Sequence, residues 1–161
     1  MAESEHLCVQ TRDPAATAVL AARLAPLLRA GDVLALDGPL GSGKTHFARA
    51  LIHALGVNED VPSPTFTLVQ VYDAAGLPIW HCDLYRLGGA DEAEELGLDD
   101  AFADALCLIE WPQRLADRLP ANALHVSFAP GDGADCRRIR LHGDDAWRPR
   151  LQPLRQAYSL N

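Results

Sequence analysis

The segment Gly38-Pro39-Leu40-Gly41-Ser42-Gly43-Lys44-Thr45 reads G-x-x-x-x-G-K-T, and it constrains the fold more than any other stretch of the chain. Such a loop works only where a strand delivers the chain to it and a helix carries the chain away. Both flanks have that character. Val33-Leu34-Ala35-Leu36, after Gly31-Asp32, is a short apolar run suited to a buried parallel strand. From Lys44 to Leu55 the apolar residues Phe47, Ala48, Leu51, Ile52 and Leu55 recur at three and four, and Gly56 supplies a helix stop. At average residue usage, roughly 0.005 chance matches are expected in a chain of this length. Lys44 is also the one lysine among 14 basic residues. A compact ammonium on a flexible stem suits a phosphate-binding loop where a wide planar guanidinium does not.

The loop predicts a site for a nucleoside triphosphate. Its backbone N–H groups wrap the phosphates, and the helix beginning near Lys44 turns its positive dipole end towards them. Lys44 then reaches the beta and gamma phosphates, and the Thr45 hydroxyl binds magnesium. His46 and His53 lie on the same helix but read as partly exposed, because no second ligand sits one turn from either.

A chain of 161 residues predicts one domain, able to bury about 70% of its unfolded surface without metal or disulfide staples. Cys8, Cys82, Cys107 and Cys136 form no C-x-x-C pair and read as buried thiols in a reducing compartment. The acidic start Met1-Ala2-Glu3-Ser4-Glu5-His6 has no apolar core, and no uncharged apolar run approaches ~18 residues. The expectation is a cytoplasmic protein away from membranes. A net charge of −8 argues against autonomous nucleic-acid binding. Acids crowd the interval from Asp91 to Glu110, whereas Arg137, Arg138, Arg140, Arg148, Arg150 and Arg155 crowd the last quarter. This pattern reads as a solvated acidic helix and an arginine-rich tail over about 143–161, or as docking surfaces for a protein or RNA partner.

Elsewhere, Leu7-Cys8-Val9 reads as an opening strand, and Asp13-Pro14 as a helix cap followed by proline in the first turn. Pro26 should shorten that helix. Residues 67–72 and 78–83 predict a hairpin around Asp73-Ala74-Ala75-Gly76, and residues 124–128 and 137–141 a second pair of strands. Asp91 to Leu96 predicts a short helix ended by Gly97, and Pro112 opens another running to Leu119. The fold class that fits is three-layer α/β of the P-loop type: a mixed, mainly parallel central sheet with antiparallel hairpins.

Hydrolysis needs acids near the loop, and two apolar strands end in one: Ile79 to Asp83 and Leu106 to Glu110. A residue at a strand's carboxyl end faces the ligand crevice of an open α/β sheet. Glu110 is therefore the candidate acid for magnesium and for orienting water, with Asp83 second; each could instead merely mark a strand end. Thr65, after Ser63-Pro64, is a candidate for sensing the gamma phosphate. Trp111 reads either as packing beside a strand or as a stacking surface.

Taken together, residues 38–45, Ser63-Pro64-Thr65-Phe66-Thr67, His81-Cys82-Asp83-Leu84-Tyr85-Arg86 and Ile109-Glu110-Trp111-Pro112 resemble the bacterial tRNA threonylcarbamoyladenosine biosynthesis family TsaE in order and spacing. The resemblance spans about residues 7 to 142, and the arginine-rich tail lies outside it. It implies an ATPase with magnesium, working with TsaB and TsaD in an assembly that modifies tRNA, and touching the tRNA itself indirectly. It places Lys44 on phosphates, Thr45, Asp83 and Glu110 around magnesium, and Thr65 in a switch-like segment. It fixes no adenine contact; Thr11, near the first helix, is the candidate. Pro39 departs from the acidic or polar residue common there and removes one N–H donor. The competing readings are a small-molecule kinase and a non-hydrolysing module whose nucleotide occupancy controls docking.

Overall fold

The structure, a computed structural model, describes residues 4–89 and 91–159. Its middle strands are continuous apolar runs because helices cover both faces. In Val33–Asp37 (β2) only the last residue is exposed, and in Leu106–Glu110 (β5) every residue is buried. Side chains alternate between the faces. Leu34, Leu36, Leu106 and Leu108 enter one core, while Val33, Ala35, Cys107 and Ile109 enter the other.

The remaining strands are Ser4–Thr11 (β1), Val69–Ala74 (β3), Leu77–Asp83 (β4), Leu124–Pro130 (β6) and Arg137–Gly143 (β7). They form one sheet of seven strands in the order β1-β7-β6-β2-β5-β4-β3. The four central strands, β6, β2, β5 and β4, run parallel, and the edges are antiparallel pairs. The register aligns Asp83 with Glu110 and Leu36 with Glu110, so β2, β4 and β5 end together.

Two helices, Pro14–Leu24 (α1) and Lys44–Ala54 (α2), pack on the first face. Asp13 caps α1, its Oδ1 accepting from Ala16 N–H at 2.8 Å, a bond worth about 1 kcal/mol. Pro26 ends that helix as expected, and one 3-10 turn, Ala25–Leu27, follows. Glu92–Glu95 (α3) and Leu98–Asp104 (α4) help cover the second face, Gly97 between them standing at φ 80°. Among the described residues no helix is long and apolar enough to cross a membrane.

Four local expectations change. The first hairpin turns on two residues, Ala75 and Gly76, at φ 52° and 94°; Asp73 and Ala74 remain in the ladder because a two-residue hairpin loop takes positive φ at both positions. Residues Pro112–Arg118 form 3-10 turns rather than a helix, broken at Ala116 with φ 51° and ψ −125°. Cys8 is exposed, on the outermost strand, whereas Cys82 and Cys107 are buried. The arginine-rich segment does not hang free: Trp147–Arg150 (α5) and Gln152–Tyr158 (α6) bury Trp147, Leu151 and Leu154 in the first core. Each of those side chains contributes roughly 2 kcal/mol by leaving water.

Candidate functional site

The loop after β2 closes against the backbone of β6. At Gly38 a Cβ would stand 2.8 Å from both Phe128 O and Ser42 Oγ, so no other residue fits. Gly43 caps α2 at φ 102°, and Phe47 N–H donates to its carbonyl at 2.9 Å to start the helix. The Ser42 hydroxyl is buried without a partner among the described residues.

Lys44 is 5% exposed. Its Nζ donates to Gly38 O at 2.5 Å and lies 3.5 Å from the centre of the Trp111 ring. Burial lowers its pKa, and the carboxylates of Glu110, Asp37 and Asp83 partly pull it back. Trp111 holds this position from left-handed backbone, φ 61° and ψ 54°, which costs about 1–2 kcal/mol for a bulky residue. Tyr85 supports its ring at a centroid distance of 4.9 Å.

Glu110 is fixed at both oxygens. Oε1 accepts from Thr45 Oγ1 at 2.7 Å, and Oε2 lies 2.7 Å from His81 Nε2. One strand over, Asp83 Oδ2 accepts from Thr65 Oγ1 at 3.1 Å, and Oδ1 from Tyr85 N–H at 3.1 Å. Thr65 Oγ1 also meets Ser63 Oγ at 2.7 Å. A cavity of about 330 Å³ is lined by the loop from Leu40 to His46 and by Thr65, Asp83, Glu110 and Trp111.

The structure thus brings Lys44, Thr45, Thr65, Asp83 and Glu110 to one cavity. Gly38 and Pro39 are not among its lining residues; their carbonyls accept from Lys44 Nζ and from Ser42 N–H. Thr11 does not join them. Its hydroxyl is buried against that of Thr17 at 2.7 Å, beside a separate groove along α1. Two residues were named in the sequence, His81 within a motif and Arg137 among the C-terminal arginines, but were given no role in the site. His81 is fully buried and bonds Glu110; standing two residues before Asp83 on β4, it shares a face with it, which strand alternation could have revealed. Arg137, which donates to the loop from β7, has no local sequence signal.

The oxygens of Thr45, Asp83 and Glu110 are hard donors that suit magnesium. Among the described residues no group of three or more His, Cys, Asp or Glu could hold a metal.

The family model described as threonylcarbamoyl adenosine biosynthesis protein TsaE matches residues 11–139. A Bacillus subtilis (strain 168) protein named tRNA threonylcarbamoyladenosine biosynthesis protein TsaE is 40% identical over 118 residues, 73% of this chain and 73% of the relative. A Streptomyces coelicolor protein of the same name is 44% identical over 130 residues, 77% of this chain and 88% of the relative. The crystal structure of Bacillus subtilis YdiB superposes with a TM-score of 0.82 at 30% identity, covering 98% of each chain.

Proposed function

The chain belongs to the TsaE family of tRNA threonylcarbamoyladenosine biosynthesis, and from that premise we propose that it binds ATP with magnesium and hydrolyses it to support turnover of a TsaB–TsaD assembly. The observation that carries this reading is the 2.7 Å bond between Thr45 on the loop helix and Glu110 on the neighbouring strand. It joins a phosphate-side hydroxyl to a buried carboxylate whose second oxygen is held by His81.

In this reading the loop N–H groups and the start of α2 hold the phosphates. Lys44 moves from the Gly38 carbonyl and the Trp111 ring onto the beta and gamma phosphates, breaking no bond to a carboxylate. Glu110, fixed at both oxygens before substrate arrives, orients the attacking water without reorganising during the reaction. Asp83 ties the site to the segment around Thr65 through its hydrogen bond, so loss of the gamma phosphate can be felt there. Magnesium, when bound, neutralises charge on the phosphates; Thr45, Asp83 and Glu110 would hold it directly or through water. The net charge of −8 argues against direct tRNA binding, so in this reading the tRNA is met through the partners, in the cytoplasm.

The deciding measurement is ATP hydrolysis by the purified protein alone and with TsaB and TsaD. Slow hydrolysis that accelerates with the partners is expected. Unchanged hydrolysis together with no ATP-dependent association sinks the proposal, and a phosphorylated small molecule as product replaces it with a kinase.

A further inference from the structure

Side-chain packing does little to fix the loop at Gly41 and Gly43. At Gly41 and Gly43 an added Cβ would meet nothing within 4 Å, and both residues stand at positive φ, 76° and 102°. Backbone with that freedom samples many peptide orientations, whereas an anion site needs its N–H groups aimed one way. The restraint comes from far along the chain. Arg137, the first residue of β7, is 95 positions from Ser42 in sequence, yet its Nε donates to Ser42 O at 3.0 Å. Its Nη2 donates to Gly41 O at 3.2 Å. The same guanidinium is anchored in its own strand and turn, Nη1 donating to Cys136 O at 2.9 Å and to Ala134 O at 3.2 Å.

A trans peptide points its C=O and N–H in opposite directions. Drawing the Gly41 and Ser42 carbonyls towards Arg137 therefore turns the N–H groups of Ser42 and Gly43 to the other side of the loop. That side includes the cavity holding Lys44, Asp83 and Glu110, which Arg137 does not line; Arg137 stands beside Pro130 and Ala134, and also near Gly43 and His46. Ser42 N–H closes a turn on Pro39 O at 3.1 Å, which leaves Gly43 N–H as the group aimed most directly.

We propose that Arg137 is a positioning residue that sets the phosphate-binding N–H groups of the loop before a polyphosphate arrives, without touching the ligand. The inference rests on reading the loop as an ATP site. A lysine at 137 would keep the charge but lose the planar fork that holds two carbonyls at once.

The test compares wild type with Arg137→Lys and Arg137→Met in the full chain. Hydrogen exchange of the loop amides without ligand should be faster in both variants at an unchanged Tm. Calorimetry with magnesium ATP and with magnesium tripolyphosphate should show both ligands weakened by the same factor, about tenfold. Arg137→Lys carries the test if Arg137→Met does not fold. Wild-type exchange with wild-type affinities overturns the inference. So does loss of ATP binding with tripolyphosphate unaffected, which would make Arg137 a nucleoside contact, and so does full rescue by lysine, which would make it a charge effect. If wild type itself binds neither ligand, the ATP reading fails, and the exchange measurement still decides whether Arg137 orders the loop.

Discussion

Asp32 and Glu110 lie at opposite ends of the parallel strands, 4% and 2% exposed, and their surroundings differ. Arg150 grips Asp32 with two bonds, Nη1 to Oδ1 at 2.8 Å and Nη2 to Oδ2 at 2.6 Å. Arg29 N–H adds a third at 2.8 Å, and the guanidinium covers the Trp147 ring at 4.2 Å. Opposite charges close on each other there. At the other end Lys44, Asp83 and Glu110 are equally buried, yet Lys44 Nζ rests on a carbonyl and an indole ring. The two carboxylates take hydroxyl, imidazole and amide partners instead. His81 Nδ1 and Ser42 Oγ are left without partners among the described residues. A closed pair staples α5 to the sheet. An unclosed set of buried charges costs stability and keeps its capacity for a charged ligand.

The comparison breaks if the two ends respond alike to substitution. Glu110→Gln, which keeps shape but removes the charge and turns one acceptor oxygen into an NH2 donor, should lower kcat about 10³-fold, or ~4 kcal/mol, with ATP still bound; intact turnover in a steady-state assay would remove Glu110 from catalysis. Arg150→Met should do the reverse. Leaving Asp32 buried and unpaired costs about 3 kcal/mol, roughly 6–12 °C in Tm, while ATP affinity of the folded protein stays as in wild type. Lys44→Arg conserves charge but not shape, and should weaken ATP binding about 100-fold, ~2.7 kcal/mol, by calorimetry. His81→Gln should lower kcat about tenfold at constant ATP affinity, because it acts only by holding Glu110; a parallel loss of affinity would make its role merely structural.

The smallest effect concerns the thiols buried in β4 and β5. Burial pushes the Cys107 thiol up to about 12 and the Cys82 thiol well above its ordinary value. At pH 8 a thiol reagent should modify Cys8 quickly and leave Cys82 and Cys107 untouched until the protein unfolds. As pH climbs from the ordinary thiol value towards about 12, the unfolded chain loses these protons first, so thermal stability should fall across that window.

Much of this was legible because it is local. The apolar runs of β2 and β5 report strands buried on both faces, Asp13-Pro14 reports a helix start, and two carboxylates after apolar runs report strand ends at the ligand side. Helix α4 was missed because Leu98 to Asp104 spans only seven residues, too short for a clear helical period, and its burial of Leu98 and Ala101 depends on a sheet face built elsewhere. That Thr11 lies outside the Lys44–Glu110 cavity was not legible, because proximity to α1 in sequence does not fix which side of that helix its hydroxyl meets.

What the sequence by itself determined was the loop, its flanking strand and helix, and the acids opposite it, since spacing and periodicity within a few residues decide each. Only the tertiary structure decided that β4 and β5 stand in register beside β2, that His81 holds Glu110, that Arg137 holds the loop, and that the arginine-rich end packs as α5 and α6. Those facts join residues far apart in the chain, 27 positions for Asp83 and Glu110 and 118 for Asp32 and Arg150, and contacts at such separations are set by which faces pack together, not by any local pattern.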